Sequence, residues 1–338
     1  MKKNTNFLAL QNTIAVNTYG VRGLSTQNQK NSTLIAYGVN VGNSSPGNKL
    51  VVHDLQNNQN TFTKNFSSWN TQIHYFGNGE LAVANSNQLN IFDQKHNLIK
   101  EIPNVYKFAV RPFHQIYPAK FLVTFSGSSI KILDAYNNYN EIQEHKVTNP
   151  QSGQDATVAI SNNEKWIALT GGYEKKNIQI YNTQSGFIKE IHLEEANGTY
   201  SPVFFNNDKY LAIGGGYNDG RIYIIRTQDW TLVHTIQAFG DYVYTINCTP
   251  DGKHIMAGGF DGTLKFYETM DWTEVSSENI GQIISEGEFS ADMKHLYIGT
   301  EPTSNNSKVL VYQVNWQAID QLRDKSIKEE MHKEAING

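Results

Sequence analysis

Glu286 and Glu288 stand two apart in a run that reads as a strand, so period-two alternation puts both carboxylates on one side of it. Paired carboxylates can hold a divalent cation or divide general acid and base work between them. Neither use finds its companions in this sequence. The ten histidines are scattered, with no His-x-His or His-x-x-x-His pair to complete a metal site. No Gly-x-Ser-x-Gly elbow and no phosphate loop occur, and the single Cys248 has no thiol partner. The plainer reading is a pair of solvated carboxylates lining a channel, and catalysis has no positive signal.

Aromatic residues carry the stronger pattern. Gly171-Gly172-Tyr173, Gly215-Gly216-Tyr217 and Gly258-Gly259-Phe260 repeat one signature. They lack the strand–GxGxxG–helix setting of a nucleotide site, so the glycines read as backbone freedom at a turn or bulge. Tyr173, Tyr217 and Phe260 follow these pairs, either as contact anchors or packed between neighbouring elements. Asp229-Trp230-Thr231 and Asp271-Trp272-Thr273 repeat in another turn, and repetition of a turn argues that Trp230 and Trp272 are structural. The connection Arg111–Pro118 is longer than a tight turn and carries Phe113 and Tyr117, a candidate contact loop.

The elements that position these residues are short strands. Between Thr245 and Val275, Pro250-Asp251-Gly252 and Asp261-Gly262 supply tight turns between strand-length runs of β-branched, aromatic and aliphatic residues. The unit is a four-stranded antiparallel meander, too small to bury its own faces. Its third run recurs as segments ending at Asp54, Asp93, Asp134, Asn182, Arg226, Glu268 and Gln313. The intervals are 39, 41, 48, 44, 42 and 45, a period within the range of propeller blades. The seventh copy ends at Val314 without a fourth strand, and an N-terminal strand within Phe7–Val16 would fill the gap and close the ring.

The run TPDGKHIMAGGFDGTLKFYE resembles the core of a WD-repeat blade. The family's terminal Trp-Asp survives only as His53-Asp54, Phe92-Asp93 and Leu133-Asp134, and its Gly-His has Gly240-Asp241 as nearest equivalent, so the family's internal hydrogen-bonded tetrad is not expected. The resemblance implies an all-β, seven-bladed β-propeller over residues 1–314. It also implies a rigid, non-catalytic platform for other proteins, as a scaffold subunit of a larger assembly. The alternative is a metal-dependent, lactonase-like propeller hydrolase using the channel carboxylates.

Residues 315–338 change period. Trp316, Ile319 and Leu322, then Ile327, Met331 and Ala335, recur at spacings of three and four, predicting a short amphipathic helix that packs on the ring or on a partner. A formal net charge of −4 gives no footprint for nucleic acid, and no apolar run reaches membrane-span length. The expectation is therefore a monomeric ring within a hetero-complex, with protein partners, no cofactor, no nucleic acid and no direct membrane insertion. One cysteine and no signal-peptide pattern point to the cell interior, with the cytoplasm first. Lys2 and Lys3, with no acidic residue before Asp54, leave mitochondrial import open.

Overall fold

The turn from Thr249 to His254 shows how the short runs become strands. The Thr249 hydroxyl accepts the His254 N–H at 3.0 Å and donates to the Asp251 carboxylate at 2.7 Å, which also takes the Lys253 N–H. Ser290, Asp292 and His295 repeat this bonding, and so do Ser161, Asn163 and Trp166. A hydroxyl with an Asp or Asn two residues on thus folds the chain back between first and second strands. After the third strand, the hydroxyls of Thr183, Thr227 and Thr269 donate to the carbonyls of Glu164, Asp208 and Gly252 in the turns between the first and second strands of blades 4, 5 and 6.

The computed structural model describes residues 7–16, 18–27, 32–41, 47–112, 119–148, 156–301 and 305–320. Those residues form 28 strands in seven four-stranded antiparallel sheets. Six sheets are simple meanders running from an innermost to an outer strand: Gly20–Thr26 to Gln59–Phe66 in blade 1, Asn70–Tyr75 to Leu98–Pro103 in blade 2, and Lys107–Ala109 to Asn140–Lys146 in blade 3. Val158–Ile160 to Gly186–His192, Thr199–Phe205 to Thr231–Gln237 and Val243–Cys248 to Glu274–Asn279 bound blades 4, 5 and 6. The innermost strand of blade 5 contains Pro202. That strand shifts register between Tyr200 and Val203, so the proline sits in an irregularity that asks for no ladder hydrogen bond.

Blade 7 takes Ile283–Phe289, His295–Glu301 and Lys308–Val314 from the end of the chain and its outer strand, Leu8–Ala15, from the beginning. The register runs antiparallel from Leu8 opposite Val314 to Ala15 opposite Lys308. The expected N-terminal closure is therefore what the ring uses, and it covers the outer edge of Lys308–Val314 with the fourth strand of the blade.

The described residues contain seven buried apolar clusters, and each joins two adjacent blades. That explains why one blade cannot stand alone: its faces are buried only by its neighbours. Trp230 and Trp272 serve these interfaces. Each has a left-handed backbone in the turn before an outer strand and reaches back to the preceding blade. Trp230 meets Trp166 edge-on at 5.4 Å, and Trp272 meets Tyr210 at 5.3 Å.

Residues 316–320 are helical. The Trp316 indole donates to the Met293 carbonyl at 2.7 Å and stacks on His254 at 4.9 Å, and Ile319 is 1% exposed. The start of the tail thus packs on the ring between blades 6 and 7. Leu322 and the rest of the expected helix lie outside the described residues, as do Phe113 and Tyr117.

Candidate interaction surface

The innermost strands enter from one end of the ring, here the upper face, and each second strand ends there too. The glycine pairs mark those endings. Gly172 has a φ of 78°, and its backbone pairs with Thr199 of the next blade. A Cβ on Gly259 would meet the Phe239 ring at 2.6 Å, too close for any side chain. The glycines let neighbouring blades approach, and the aromatic that follows is pushed outward. Tyr173, Tyr217 and Phe260 are accordingly 47, 48 and 42% exposed.

The fold links two of them through rings that the sequence reading missed. Tyr242 lies 6.1 Å from Tyr217 and 6.5 Å from Phe260. It stacks on Tyr244 at 5.3 Å and meets Tyr200 at 5.7 Å, while Tyr244 stacks on Phe260 at 6.2 Å. Tyr217, Tyr242, Tyr244, Phe260 and Tyr200 therefore make one continuous patch over blades 5 and 6. Tyr173 continues the same face on blade 4, its hydroxyl held protonated to higher pH chiefly by a hydrogen bond with Glu174 and to a smaller degree by Tyr217. A signal for the missing rings was present in the repeated Gly-x-Tyr that opens two innermost strands, Gly198-Thr199-Tyr200 and Gly240-Asp241-Tyr242.

Beside the patch opens a central cavity of about 440 Å³. Arg22, Trp69, Lys107, Tyr200, Tyr244 and Glu301 line its upper mouth, and Glu286 and Glu288 lie further down. The expectation of solvated carboxylates is corrected here. Glu286 accepts the Gly23 N–H at 2.9 Å, and Glu288 accepts the N–H and hydroxyl of Thr26, each at 3.2 Å. Both reach from blade 7 to blade 1; Glu288 is buried there, and Glu286 is half-buried at the cavity wall. Burial pushes the Glu286 carboxyl up to about 7, against the Gly23 hydrogen bond and the Lys107 and Arg22 charges. Glu288 is pushed up to about 8, again chiefly by burial. The Ser285 hydroxyl donates to the Val21 carbonyl at 2.6 Å across the same seam. These polar groups tie the last blade to the first.

Blade 5 carries a local hydrogen-bonded device: the buried Tyr223 hydroxyl donates to the Asp219 carboxylate at 2.9 Å, and Asp219 also takes the Asn197 N–H. Among the described residues, no group of three or more His, Cys, Asp and Glu side chains is placed to hold a metal ion. Among the same residues no helix is long and apolar enough to cross a membrane.

The model of the WD40 family, "WD domain, G-beta repeat", matches residues 230–268. That span is the outer strand of blade 5 followed by the inner three strands of blade 6, so one sequence repeat straddles two blades. The same offset lets a strand from the chain's start complete its last blade. No curated protein matches the sequence. Among solved structures, a chain of the "Crystal Structure of Mitotic Checkpoint Complex" superposes with a TM-score of 0.72 at 14% identity, covering 93% of this chain and 94% of that one. The chain is a seven-bladed β-propeller in which residues 230–268 match the WD40 repeat.

Proposed function

We propose that this propeller is a non-catalytic protein-interaction platform, working as a scaffold subunit of a larger assembly through the upper face of blades 4 to 6. Propellers of the WD40 kind are typically protein-interaction scaffolds. The observation that carries the reading is the continuous, partly exposed aromatic patch around Tyr242, with Tyr217 and Phe260 its most exposed rings. Large aromatic rings held in water at a fixed spacing are the usual anchors of a protein interface, because they bury much area at little entropic cost. The solved neighbour is itself part of a multiprotein complex, in accord with this reading. The carboxylates that a hydrolase would use hold the ring seam instead. The tail residues Trp316 and Ile319 are packed on the ring, which favours the upper face over the tail as the contact surface.

The test is affinity purification of the tagged full-length chain, with mass spectrometry, beside a Tyr217→Ala/Phe260→Ala variant and a control, Phe187→Ala, on the outer strand of blade 4. A stoichiometric companion kept by the control and lost by the double variant is the expected result. A companion retained by all three would move the contact off this face.

A further inference from the structure

Arg22 sits in the innermost strand of blade 1 at the upper channel mouth, with 40% of its side chain exposed. It is held on two sides. Its Nε donates to the Glu301 carboxylate of blade 7, and its guanidinium lies 5.1 Å over the Trp69 ring of blade 2. Among the described residues neither of its terminal nitrogens has a hydrogen-bond partner. A guanidinium fixed at Nε and stacked on one face presents its remaining edge as two parallel donors, the geometry that fits the two oxygens of a carboxylate. Lys107 adds a second positive charge to the same cavity. The resident carboxylates do not fill the open edge: Glu301 takes Nε, and Glu286 and Glu288 are bonded to blade 1 backbone. Tyr244 connects this mouth directly to the aromatic patch.

We infer that the channel mouth is a receptor for one acidic side chain of a partner. Arg22 takes the carboxylate of an Asp or Glu in an extended segment whose flanking apolar residues rest on Tyr217, Tyr242, Tyr244 and Phe260. This rests on the platform reading and names the chemistry of its partner. The Trp69 stack and the Glu301 pair restrict the motion of the guanidinium before binding, so less ordering cost remains when the carboxylate arrives.

The test pans a phage-displayed library of random twelve-residue peptides on the immobilised full-length chain. Synthetic copies of the selected peptides are then titrated by fluorescence anisotropy against the wild type, Arg22→Gln and Arg22→Lys, with melting curves to establish folding. The selected peptides are expected to share one acidic position between apolar residues. Replacing that acid by its amide should weaken binding roughly tenfold on the wild type and less than about twofold on Arg22→Gln, as for a charge-assisted bidentate pair. Should Arg22→Gln fail to fold, Arg22→Lys carries the test, since its ammonium keeps the charge and lacks the planar fork; affinity there should drop by about threefold or more. No selected peptide, no shared acid, or an affinity indifferent to both Arg22 variants overturns the receptor. So does tighter binding when phosphoserine replaces the acid. Peptides that weaken on Tyr217→Ala/Phe260→Ala but not on either Arg22 variant leave the platform standing and remove the receptor.

Discussion

The ring seam and the upper face of blades 5 and 6 are built from the same residue types and use them in opposite ways. Around blade 7, where the ring closes, Phe7 is wholly buried against blade 6, edge-on to Phe266 at 4.8 Å and beside Trp316 at 5.3 Å, and two carboxylates are bonded across to blade 1. On the upper face Tyr217 and Phe260 are nearly half exposed, and the Arg22 guanidinium keeps an open edge. Exposed aromatic rings are costly in water, and carboxylates drawn into the core are costly there. The seam offsets that cost by closing the ring, and the face leaves it to be offset by a partner. What separates them is whether another blade arrives to cover the residue.

That contrast can be broken most severely at the N-terminus. Deleting residues 1–16 removes the outer strand of blade 7 and Phe7 together, and the product should be insoluble or far less stable, read from soluble yield and a thermal melt. An unchanged melt would show that the strand is not the closure. A pair of single changes tests the same contrast. Phe7→Ala should cost about 3–5 kcal/mol in a denaturant titration, whereas Phe260→Ala should cost less than about 1 kcal/mol. Comparable losses at the two sites would erase the distinction.

Protonation gives a third separation. An ordinary Glu titrates near 4.5, but Glu286 and Glu288 titrate at about 7 and about 8 in the folded ring. Between these limits the native state binds more protons than the unfolded chain, so stability must fall as pH rises. The seam is strongest below about pH 4.5 as far as these two groups are concerned, and their contribution is lost as pH climbs through 7 and 8. A loss of several kcal/mol between pH 5 and 8 (roughly 6 by full linkage) is expected, flattened in Glu286→Gln/Glu288→Gln. A slope unchanged in that double variant would assign the pH dependence elsewhere. The smallest effect concerns Cys248, a buried thiol pushed up to about 12 by desolvation. It should resist a thiol reagent in the wild type and in Phe260→Ala and react measurably faster in Phe7→Ala, because only the seam variant opens the ring more often.

Much of the seam was legible. The missing fourth strand of the last repeat called for a strand from Phe7–Val16, since edges left unpaired must be covered. Its polar half was misread. Alternation places Glu286 and Glu288 on one side of a strand, but it is silent on what lies against that side, and Gly23 and Thr26 are more than 260 residues away in the chain. The upper face was legible in part. Repeated Gly-Gly-aromatic triplets marked Tyr173, Tyr217 and Phe260, while Arg22 had no signal, because its setting comes from Trp69 and Glu301 on two other blades. Helical spacing of Trp316 and Ile319 was visible, yet which surface would bury them was open until His254, Met293 and Phe7 were found beneath.

The sequence by itself determined the blade. Turn hydroxyls, glycines at tight approaches and strand-length apolar runs are local, act within about forty residues, and repeat until seven copies compel a ring. Tertiary structure alone decided which polar and aromatic groups are covered. Covering depends on the closing contact between residues near the two ends of the chain, and no local pattern encodes the neighbour that a closed circle brings round to Glu286, Glu288 and Arg22.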